Sequence, residues 1–481
     1  MAQIPVRIAG EHVTTDDSLV VTNPYDGSVV GEVPRCGAAE VDRACTHAQV
    51  VLRRDELPLH RRAAILDDAS RLVRERLDDL ARTIASEAGK PITTARVEVE
   101  RCADTLTFAA AEARHLSGET IAMEASSSGA GKVGFAVRVP AGVVAAISPF
   151  NFPLNLVAHK LAPAIAAGCP VVLKPASATP LTAIALVELL VDAGLPADWI
   201  SVVTGSGSDV AEPLVAHDVP AVISFTGSVQ VGWGIAAKAP RKKVLLELGS
   251  NSPLIVEPGA DIADVAARMA PAAFGFAGQS CISVQRVIVH RDVHDELVAE
   301  LARVASRLVV GDPLDDATEV GPLIDTDARD RVRAWIEAAA ASGASIVTGG
   351  VVDEDGVLRP TVVDGLDTTV DLWCKEAFGP VIGVRAYDTI DEAFALANDS
   401  DIRLHAGIFT DDLGVALRAV KELDFGGVLV NEVPTFRADQ QPYGGVADAG
   451  NTREGPKYAI EEMTTLRFVS LQAGRTRTVG P

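Results

Sequence analysis

The sequence lacks an apolar run long enough to cross a membrane. A spanning helix needs about 18 uncharged apolar residues in succession, and no such stretch appears among the 481 residues. The first residues, Met1–Arg7, also lack the basic segment followed by an apolar one that is typical of a secretory signal peptide. We therefore expect a protein that neither spans a membrane nor carries a signal peptide.

Positive charge is scarce. The chain has 43 lysines and arginines against 65 aspartates and glutamates, which gives a formal net charge of −22. Such a field repels the phosphates of nucleic acids and of anionic membrane surfaces, so we expect neither as a partner. A small anionic substrate stays possible, because a local pocket can be basic on an acidic protein.

Cysteine pairs with metal-site spacing are also missing. No C-x-x-C pair occurs, so we expect no metal site. Six cysteines in a chain of this length do not suggest a disulfide framework, which favours a reducing, cytoplasmic compartment. The six are Cys36, Cys45, Cys102, Cys169, Cys281 and Cys374.

Aromatic residues make up only 4% of the chain, whereas hydrophobic residues make up 48%. This composition fits helices packed on buried sheets, and the length predicts two or three domains. From Val143 to Glu247, short apolar strands alternate with helical segments joined by Gly and Pro turns. The pattern predicts an α/β fold with a parallel sheet covered on both faces, in which ligands bind at the carboxyl ends of the strands.

Other segments extend this organisation. Residues 38–117 have helical spacing, and a second α/β unit begins near Pro253 with a predicted helix at 261–276 and a strand at 283–290. The tail Leu466–Leu471 alternates like a strand. Because no sheet neighbour lies nearby in the sequence, we expect it to pair across a subunit interface.

Four motifs carry chemical information. Gln279-Ser280-Cys281 places a thiol 34 positions after Glu247, in the run Leu245–Pro253. The other two motifs are Pro149-Phe-Asn-Phe-Pro153 and Phe225-Thr-Gly-Ser228. With these motifs in order, the chain resembles the aldehyde dehydrogenase superfamily, from about Asn23-Pro24 to Glu461-Glu462-Met463.

The resemblance implies a fold of three parts. A Rossmann-like dinucleotide-binding domain would comprise residues 1–122 and 142–249, together with 431–458. An α/β catalytic domain would comprise residues 250–430. A small β arm for oligomerisation would comprise residues 123–141 and 459–481, in a homodimer or homotetramer.

The resemblance also assigns catalytic roles. Oxidation of an aldehyde to an acid needs a nucleophile, donors for the oxyanion and a base that activates water. Cys281, just after a predicted helix, would be the nucleophile in an exposed turn. The side-chain amide of Asn151 and the backbone N–H of Cys281 would hold the oxyanion. Glu247 would be the base, with a pKa raised by its poorly solvated site, and its presence favours hydrolysis to the free acid.

The expected cofactor is NADP or NAD. Residues 225–228 lie at a predicted helix N-terminus, where backbone N–H groups favour pyrophosphate. Lys174 resembles the family's ribose-binding lysine, and Glu376, with Phe378 beside it, resembles the glutamate that holds the nicotinamide ribose. The full predicted cofactor set is Ile147, Ser148, Pro149, Phe150, Lys174, Ala176, Ser177, Gly207, Phe225, Thr226, Gly227, Ser228, Leu248, Glu376 and Phe378.

Ser177 bears on the choice between the two cofactors. NAD-selective members often carry a glutamate three residues after the lysine, where its carboxylate would bind the ribose hydroxyls and repel a 2′-phosphate. The residue here is the small, neutral Ser177. We therefore predict that NADP is accepted or preferred, with NAD also possible.

The substrate is less closely defined. The chain is most similar to the branch that holds lactaldehyde, non-phosphorylating glyceraldehyde-3-phosphate and phosphonoacetaldehyde dehydrogenases. We predict a small polar or anionic aldehyde, although phosphate-handling members often have an arginine where this chain has Ser280. The predicted substrate-binding residues are Arg101, His159, Ser280, Ile282 and Arg437.

Two alternatives and one departure stay open at this point. The chain could form a thioester for another acceptor, as an acylating dehydrogenase or an esterase-like hydrolase does, or it could be a catalytically silent structural or binding member.

The segment after Tyr443-Gly-Gly445 departs from the family pattern at Ala447, Ala449 and Thr452. This departure leaves the loop at the pocket rim, and therefore the substrate range, undefined.

Overall fold

The computed structural model describes residues 2–54 and 57–472. Its three largest sheets are a five-stranded parallel sheet, a seven-stranded sheet that is parallel except for one strand, and a three-stranded antiparallel sheet. Three two-stranded antiparallel sheets also occur in these described ranges. The strands are β1 (Val6–Ile8), β2 (Glu11–Val13), β3 (Ser18–Thr22), β4 (Val29–Pro34), β5 (Glu119–Ile121), β6 (Lys132–Pro140), β7 (Val143–Ile147), β8 (Val171–Lys174), β9 (Ile200–Val202), β10 (Pro220–Thr226), β11 (Lys243–Glu247), β12 (Pro253–Val256), β13 (Arg286–His290), β14 (Ser345–Thr348), β15 (Thr361–Asp364), β16 (Val381–Tyr387), β17 (Ile402–Arg403), β18 (His405–Phe409), β19 (Gly427–Val430), β20 (Val446–Ala447) and β21 (Thr464–Gln472).

The helices lie mainly on the faces of the two parallel sheets. The α-helices are α1 (Ala38–Arg54), α2 (Leu59–Glu75), α3 (Leu77–Ala88), α4 (Ile92–His115), α5 (Asn155–Ala167), α6 (Leu181–Asp192), α7 (Glu212–Ala216), α8 (Val229–Lys238), α9 (Ile262–Phe274), α10 (Arg291–Ala305), α11 (Thr326–Ala341), α12 (Asp371–Cys374), α13 (Ile390–Asn398), α14 (Leu413–Glu422) and α15 (Pro456–Glu462). Short 3₁₀ turns occur at Met123–Ala125, Ser127–Gly129 and Gly275–Gly278, and a π-helical turn at Gly207–Ala211. No helix in these described ranges is long and apolar enough to span a bilayer.

The first parallel sheet has the strand order β11-β10-β7-β8-β9. Its register sets Ile147 beside both Lys174 and Phe225, and Thr226 beside Glu247. The carboxyl ends of four neighbouring strands therefore present these side chains along one edge. The parallel sheet predicted from the strand and helix alternation is confirmed, and its edge is the place where such sheets bind ligands.

Buried carboxylates fix two helices that pack on this sheet. Glu98 of α4 accepts hydrogen bonds from the backbone N–H groups of Leu154 (2.9 Å) and Asn155 (3.1 Å), at the start of α5. Glu87 of α3 does the same at the start of α6. A negative charge at a helix N-terminus satisfies free N–H groups and complements the helix dipole. Glu98 is in turn paired with the fully buried Lys90.

The second parallel sheet has the order β14-β15-β16-β13-β12-β18-β19, with β14 antiparallel to its neighbour. It has its own apolar core, separate from that of the first sheet. The helix predicted at 261–276 ends earlier, at Phe274, because the chain turns into the left-handed region at Phe276 and Ala277. The strand predicted at 283–290 begins only at Arg286.

The tail strand corrects one expectation. Strand β21 was expected to pair across a subunit interface, but it pairs with β6 of its own chain. The pairing is antiparallel and extends over the whole of β21, from Thr464 opposite Pro140 to Gln472 opposite Lys132. A pairing between segments more than 300 positions apart leaves no trace in local sequence, which is why the tail seemed to have no neighbour. Strand β6 lies between β21 and β5, so β21 is at the edge of this sheet. The domain boundaries proposed from the sequence stay a prediction.

Candidate active site

A cavity of about 550 Å³ lies at the carboxyl edge of the first sheet. Every residue of the predicted cofactor set lines it, together with Asn151 and Cys281. Five further residues that the sequence motifs do not mark also line the cavity: Leu156, Ala211, Val231, Gly249 and Arg331. Arg331 carries no local signal, because it lies on a helix that is remote in sequence from every motif.

One wall of the cavity suits ribose and phosphate groups. Lys174 ends β8 with its ammonium donating to the backbone oxygen of Pro175 (3.0 Å), and burial lowers its pKa to about 8. Ser177 donates to the backbone oxygen of Gly205 (2.8 Å). Helix α8 begins just after Ser228, and its first N–H groups have no side-chain cap among the described residues. These free donors at a helix N-terminus are what a pyrophosphate needs.

A second part of the cavity wall is built around Glu376. Its carboxylate accepts a hydrogen bond from the backbone N–H of Ser250 (3.1 Å), and burial raises its pKa to about 7. Gly249 lies so close that a Cβ at this position would collide with the carboxylate. Phe378 meets Phe150 edge to face, with 5.8 Å between ring centroids. The two walls together fit a nicotinamide dinucleotide, with the polar wall for its phosphates and the Glu376 wall for a ribose.

A strained turn precedes the nucleophile predicted from the sequence, Cys281. Phe276, Ala277 and Gly278 are all in the left-handed region, which costs free energy for residues with a Cβ. A Cβ at Gly278 would collide with the backbone oxygen of Gly379, so only glycine fits there. The buried Lys90 ammonium stands 3.7 Å from the Phe152 ring centroid and 4.5 Å from that of Phe276. This cation–π contact helps to hold the turn that leads to Cys281.

Cys281 differs in one respect from the prediction. It lies in a turn and lines the cavity, but it is half-buried rather than exposed. Burial raises the pKa of its thiol to about 12, and a hydrogen bond with Tyr443 acts in the opposite direction. The phenol oxygen of Tyr443 lies 2.7 Å from Sγ. Tyr443 was not among the site residues predicted from the sequence, although it is the first residue of the Tyr443-Gly-Gly445 motif.

Asn151 reaches the same turn. Its side-chain amide donates to the backbone oxygen of Gln279, two residues before the thiol, at 2.9 Å. An amide carries two N–H groups, so one remains for a ligand while the other holds the turn. Asn151 and Cys281 both line the cavity. The oxyanion role of Asn151 stays a prediction.

Glu247 ends β11 beside Thr226 and is buried. Neither carboxylate oxygen has a hydrogen-bond partner within residues 2–54 and 57–472. Burial, together with the negative charge of Glu454, raises the pKa of Glu247 well above its ordinary value. A buried carboxyl with two free oxygens is suited to accept a proton from water.

A buried ionic network lies next to Glu247. Arg437 pairs with Glu454 at 3.0 Å, and Lys160 lies 3.7 Å from the same carboxylate. Lys160 also donates to the hydroxyl of Thr226 at 2.6 Å. The Arg437 guanidinium stacks 3.8 Å above the ring centroid of Tyr443. Neither Lys160 nor Glu454 was among the sequence candidates.

The network continues to the other predicted substrate residues. Arg101 donates two hydrogen bonds to Asp439, at 2.8 and 3.0 Å. His159 lies 3.0 Å from both Asp439 and Arg437 and is buried, which lowers its pKa. Arg101, Lys160 and Arg437 are called the basic cluster below.

The two remaining candidates flank the thiol. Ile282 is buried in a small apolar cluster with Leu404, Tyr443 and Ala449, whereas Ser280 is half-buried. The substrate roles of Ser280, Ile282 and the other candidates stay predictions.

The departure after Gly445 has a structural consequence. The backbone N–H of Leu248 donates to the oxygen of Ala449 (3.0 Å). The side-chain amide of Asn451 accepts a hydrogen bond from the N–H of Leu246 (2.8 Å) and donates one to the backbone oxygen of Val244 (3.0 Å). It thereby bonds to the backbone of β11 as a neighbouring strand would. The loop is therefore fixed on the edge of β11, next to Glu247. Ala447 is left-handed there, and Ala449 and Thr452 are buried.

Known proteins are similar to this chain in sequence and in fold. The model of the aldehyde dehydrogenase family matches residues 12–469. The 3-sulfolactaldehyde dehydrogenase of Priestia megaterium is 41% identical over 469 residues, covering 98% of each chain. Aldehyde dehydrogenase 21 of Physcomitrella patens, solved with the reaction product succinate, is 36% identical with a TM-score of 0.94 over 99% of each chain. The glyceraldehyde-3-phosphate dehydrogenase GapN of Methanocaldococcus jannaschii, complexed with NADP, is 36% identical with a TM-score of 0.91, over 96% of this chain and all of that one.

These matches confirm the family, the α/β fold and the NAD(P) cofactor that the sequence predicted. The matched region contains all the motifs described above and both parallel sheets. The protein is an NAD(P)-dependent aldehyde dehydrogenase, and its chain belongs to the aldehyde dehydrogenase family.

Proposed function

We propose that the enzyme oxidises a short aldehyde with a carboxylate or sulfonate group to the corresponding acid. The observation that carries the proposal is the position of Tyr443 between two features of the site. Its oxygen lies 2.7 Å from the Cys281 sulfur, and its ring lies 3.8 Å from the Arg437 guanidinium. A carbonyl at the thiol and an anion near the basic cluster would therefore be only a few bonds apart.

The proposed cycle begins at Cys281. After the thiol gives its proton to solvent, its sulfur adds to the carbonyl carbon, while the free N–H of Asn151 and the backbone N–H of Cys281 stabilise the oxyanion. The bound nicotinamide supplies the hydride acceptor. Collapse of the oxyanion would break the C–H bond of the former aldehyde, release its hydride to that acceptor and leave a thioester on the sulfur.

Glu247 completes the cycle. It accepts a proton from a water molecule that attacks the thioester, and the acid leaves as the thiol is restored. Because its pKa is raised, the ionised carboxylate is a stronger base than that of an ordinary glutamate, which suits a general base. A base with two free oxygens favours hydrolysis over transfer of the acyl group to coenzyme A.

The charge balance supports an anionic substrate. Burial by itself would raise the pKa values of Asp439 and Glu454. Both values are lowered, because nearby cations and hydrogen-bond donors favour the ionised carboxylates more strongly. With Glu247 protonated and Lys160 charged, although burial lowers the pKa of Lys160, the three cations of the basic cluster face two ionised carboxylates, which leaves one positive charge. A substrate with a single negative charge would neutralise it, and burial makes such neutralisation favourable.

Three of the similar proteins support the same class of substrate. Two of them carry the names 3-sulfolactaldehyde dehydrogenase and glyceraldehyde-3-phosphate dehydrogenase. The other, aldehyde dehydrogenase 21, was solved with the reaction product succinate. Each of these compounds is anionic. Because Ser280 stands where phosphate-handling members often have an arginine, we favour a carboxylate or a sulfonate over a phosphate.

We further propose that NADP is preferred and that the enzyme forms a homodimer or homotetramer. No carboxylate stands at position 177 to repel a 2′-phosphate, and Lys174 shares the same wall of the cavity.

The proposed assembly rests on the edge strand β21, which exposes Leu466, Phe468 and Leu471, each to about half of its full extent (47%, 54% and 53%). Exposed apolar side chains on a sheet edge suit contact with a second copy.

Replacement of the nucleophile tests the proposed cycle. In Cys281→Ala we expect the rate of aldehyde oxidation to fall by at least about a thousandfold, because no other thiol lines the described cavity. NADP binding, measured by fluorescence titration, should persist. Cys45→Ala is the matched control, since Cys45 is buried in α1, and it should retain activity. Full activity in Cys281→Ala would refute the cycle.

A comparison of charged and neutral aldehydes tests the substrate class. Succinate semialdehyde and a sulfonated analogue should be oxidised with higher kcat/KM than butanal. In Arg101→Met, the loss of a charged donor should lower kcat/KM about 10- to 100-fold for the anionic aldehydes, with butanal nearly unchanged. Arg101→Lys should restore part of the difference. An equal loss on all three aldehydes would make Arg101 a structural residue.

A charge placed beside the ribose site tests cofactor choice. In Ser177→Glu, repulsion of the 2′-phosphate should lower kcat/KM for NADP by roughly one to two orders of magnitude. The value for NAD should stay level or rise. Ser177→Gln adds similar bulk without charge and is the control. Full NADP preference in Ser177→Glu would contradict the proposed role of position 177.

A further inference from the structure

We infer that Tyr443 is the hydrogen-bond donor that stabilises the thiolate of Cys281 and aims it at the cavity. This inference rests on the proposed function of Cys281 as the nucleophile. The phenol oxygen lies 2.7 Å from Sγ, which is within hydrogen-bond distance for an O–H and a sulfur. Tyr443 would thus contact the reacting atom directly.

The phenol is held firmly in this position. Tyr443 is only 2% exposed, and its backbone N–H donates to the oxygens of Gln441 (2.8 Å) and Glu454 (3.1 Å). The His405 ring meets its ring edge to face, with 5.1 Å between centroids. Ile282, the residue after the thiol, belongs to the same apolar cluster. The side chain therefore has little freedom to turn away from the sulfur.

The direction of the hydrogen bond depends on the charge of the thiol. A neutral thiol and a phenol can each act as donor, but a thiolate has no proton to give, so the phenol must donate once the thiol ionises. A hydrogen bond to the charged form favours ionisation. Burial raises the pKa of Tyr443 well above its ordinary value, which keeps the phenol protonated and available as a donor.

Arg437 strengthens this donor. Its guanidinium lies 3.8 Å from the Tyr443 ring centroid and is fixed by its ion pair with Glu454. A cation over the ring face draws electron density from the phenol, which makes the O–H a better donor. The same positive charge lowers the pKa of Cys281, after the larger opposing effect of burial. The basic cluster and the thiol are therefore coupled through one aromatic ring.

The pH dependence of Cys281 alkylation tests the inference without turnover. We would treat the full-length enzyme with iodoacetamide at several pH values and follow the Cys281 peptide by mass spectrometry. Tyr443→Phe keeps the ring and removes the donor. Loss of a hydrogen bond to a charged group should raise the thiol pKa by about one unit or more, so alkylation at a given pH should slow roughly tenfold or more. We also expect a larger fall in kcat than rise in KM.

The control removes a different buried phenol. Tyr387 donates to Glu257 (2.8 Å) from the second sheet, so Tyr387→Phe should be alkylated at Cys281 as fast as the wild type. Incorporation of 3-fluorotyrosine at position 443 keeps the fold and makes the phenol a stronger donor, and this variant should be alkylated faster. It carries the test if Tyr443→Phe does not fold.

Two outcomes would overturn the inference: an unchanged pH profile in Tyr443→Phe, or no acceleration with 3-fluorotyrosine. A failure of the proposed function is distinguishable from both, because it appears as activity in Cys281→Ala, whereas the alkylation series needs no catalytic activity.

Discussion

Burial of ionisable groups beside Cys281 is the constraint on which the rest of the site depends. Burial raises the pKa of the Cys281 thiol itself and of the nearby Glu247 carboxyl, which favours the neutral form of each. Arg437 and Glu454 remain charged because they are paired with each other. An unpaired charge in such a place would be costly, and a half-satisfied network would be worse than an apolar one. The site therefore combines groups ready to change protonation with a fixed ion pair that sets their field.

The fold supplies this arrangement through a second layer of buried charge. Glu98 holds the N-terminus of α5, the helix that carries His159 and Lys160 into the network. Its partner Lys90 lies over the aromatic ring of Phe276, in the strained turn before Cys281. One buried ion pair thus touches both the helix that carries the basic side chains and the loop that carries the thiol. Positioning of the site and stability of the core are achieved by the same residues.

The sequence predicted local order better than long-range contact. The alternation from Val143 to Glu247 predicted the first sheet, because strand and helix periods are local properties. The family motifs gathered the cofactor set, which the structure brings into one cavity. Pairings such as Arg101 with Asp439, 338 positions apart, have no local signature. The contact of Tyr443 with Cys281, across 162 positions, and the pairing of β21 with β6 escaped prediction for the same reason.

In the proposed mechanism, Cys281 forms a thioester, and Glu247 activates the water that hydrolyses it. The most direct measurement is the intact mass of a Glu247→Gln enzyme mixed with NADP and an anionic aldehyde. We expect one equivalent of reduced cofactor per active site, followed by a stable acyl adduct on the Cys281 peptide, because water is no longer activated. Steady turnover at the wild-type rate with no adduct on Cys281 would contradict it.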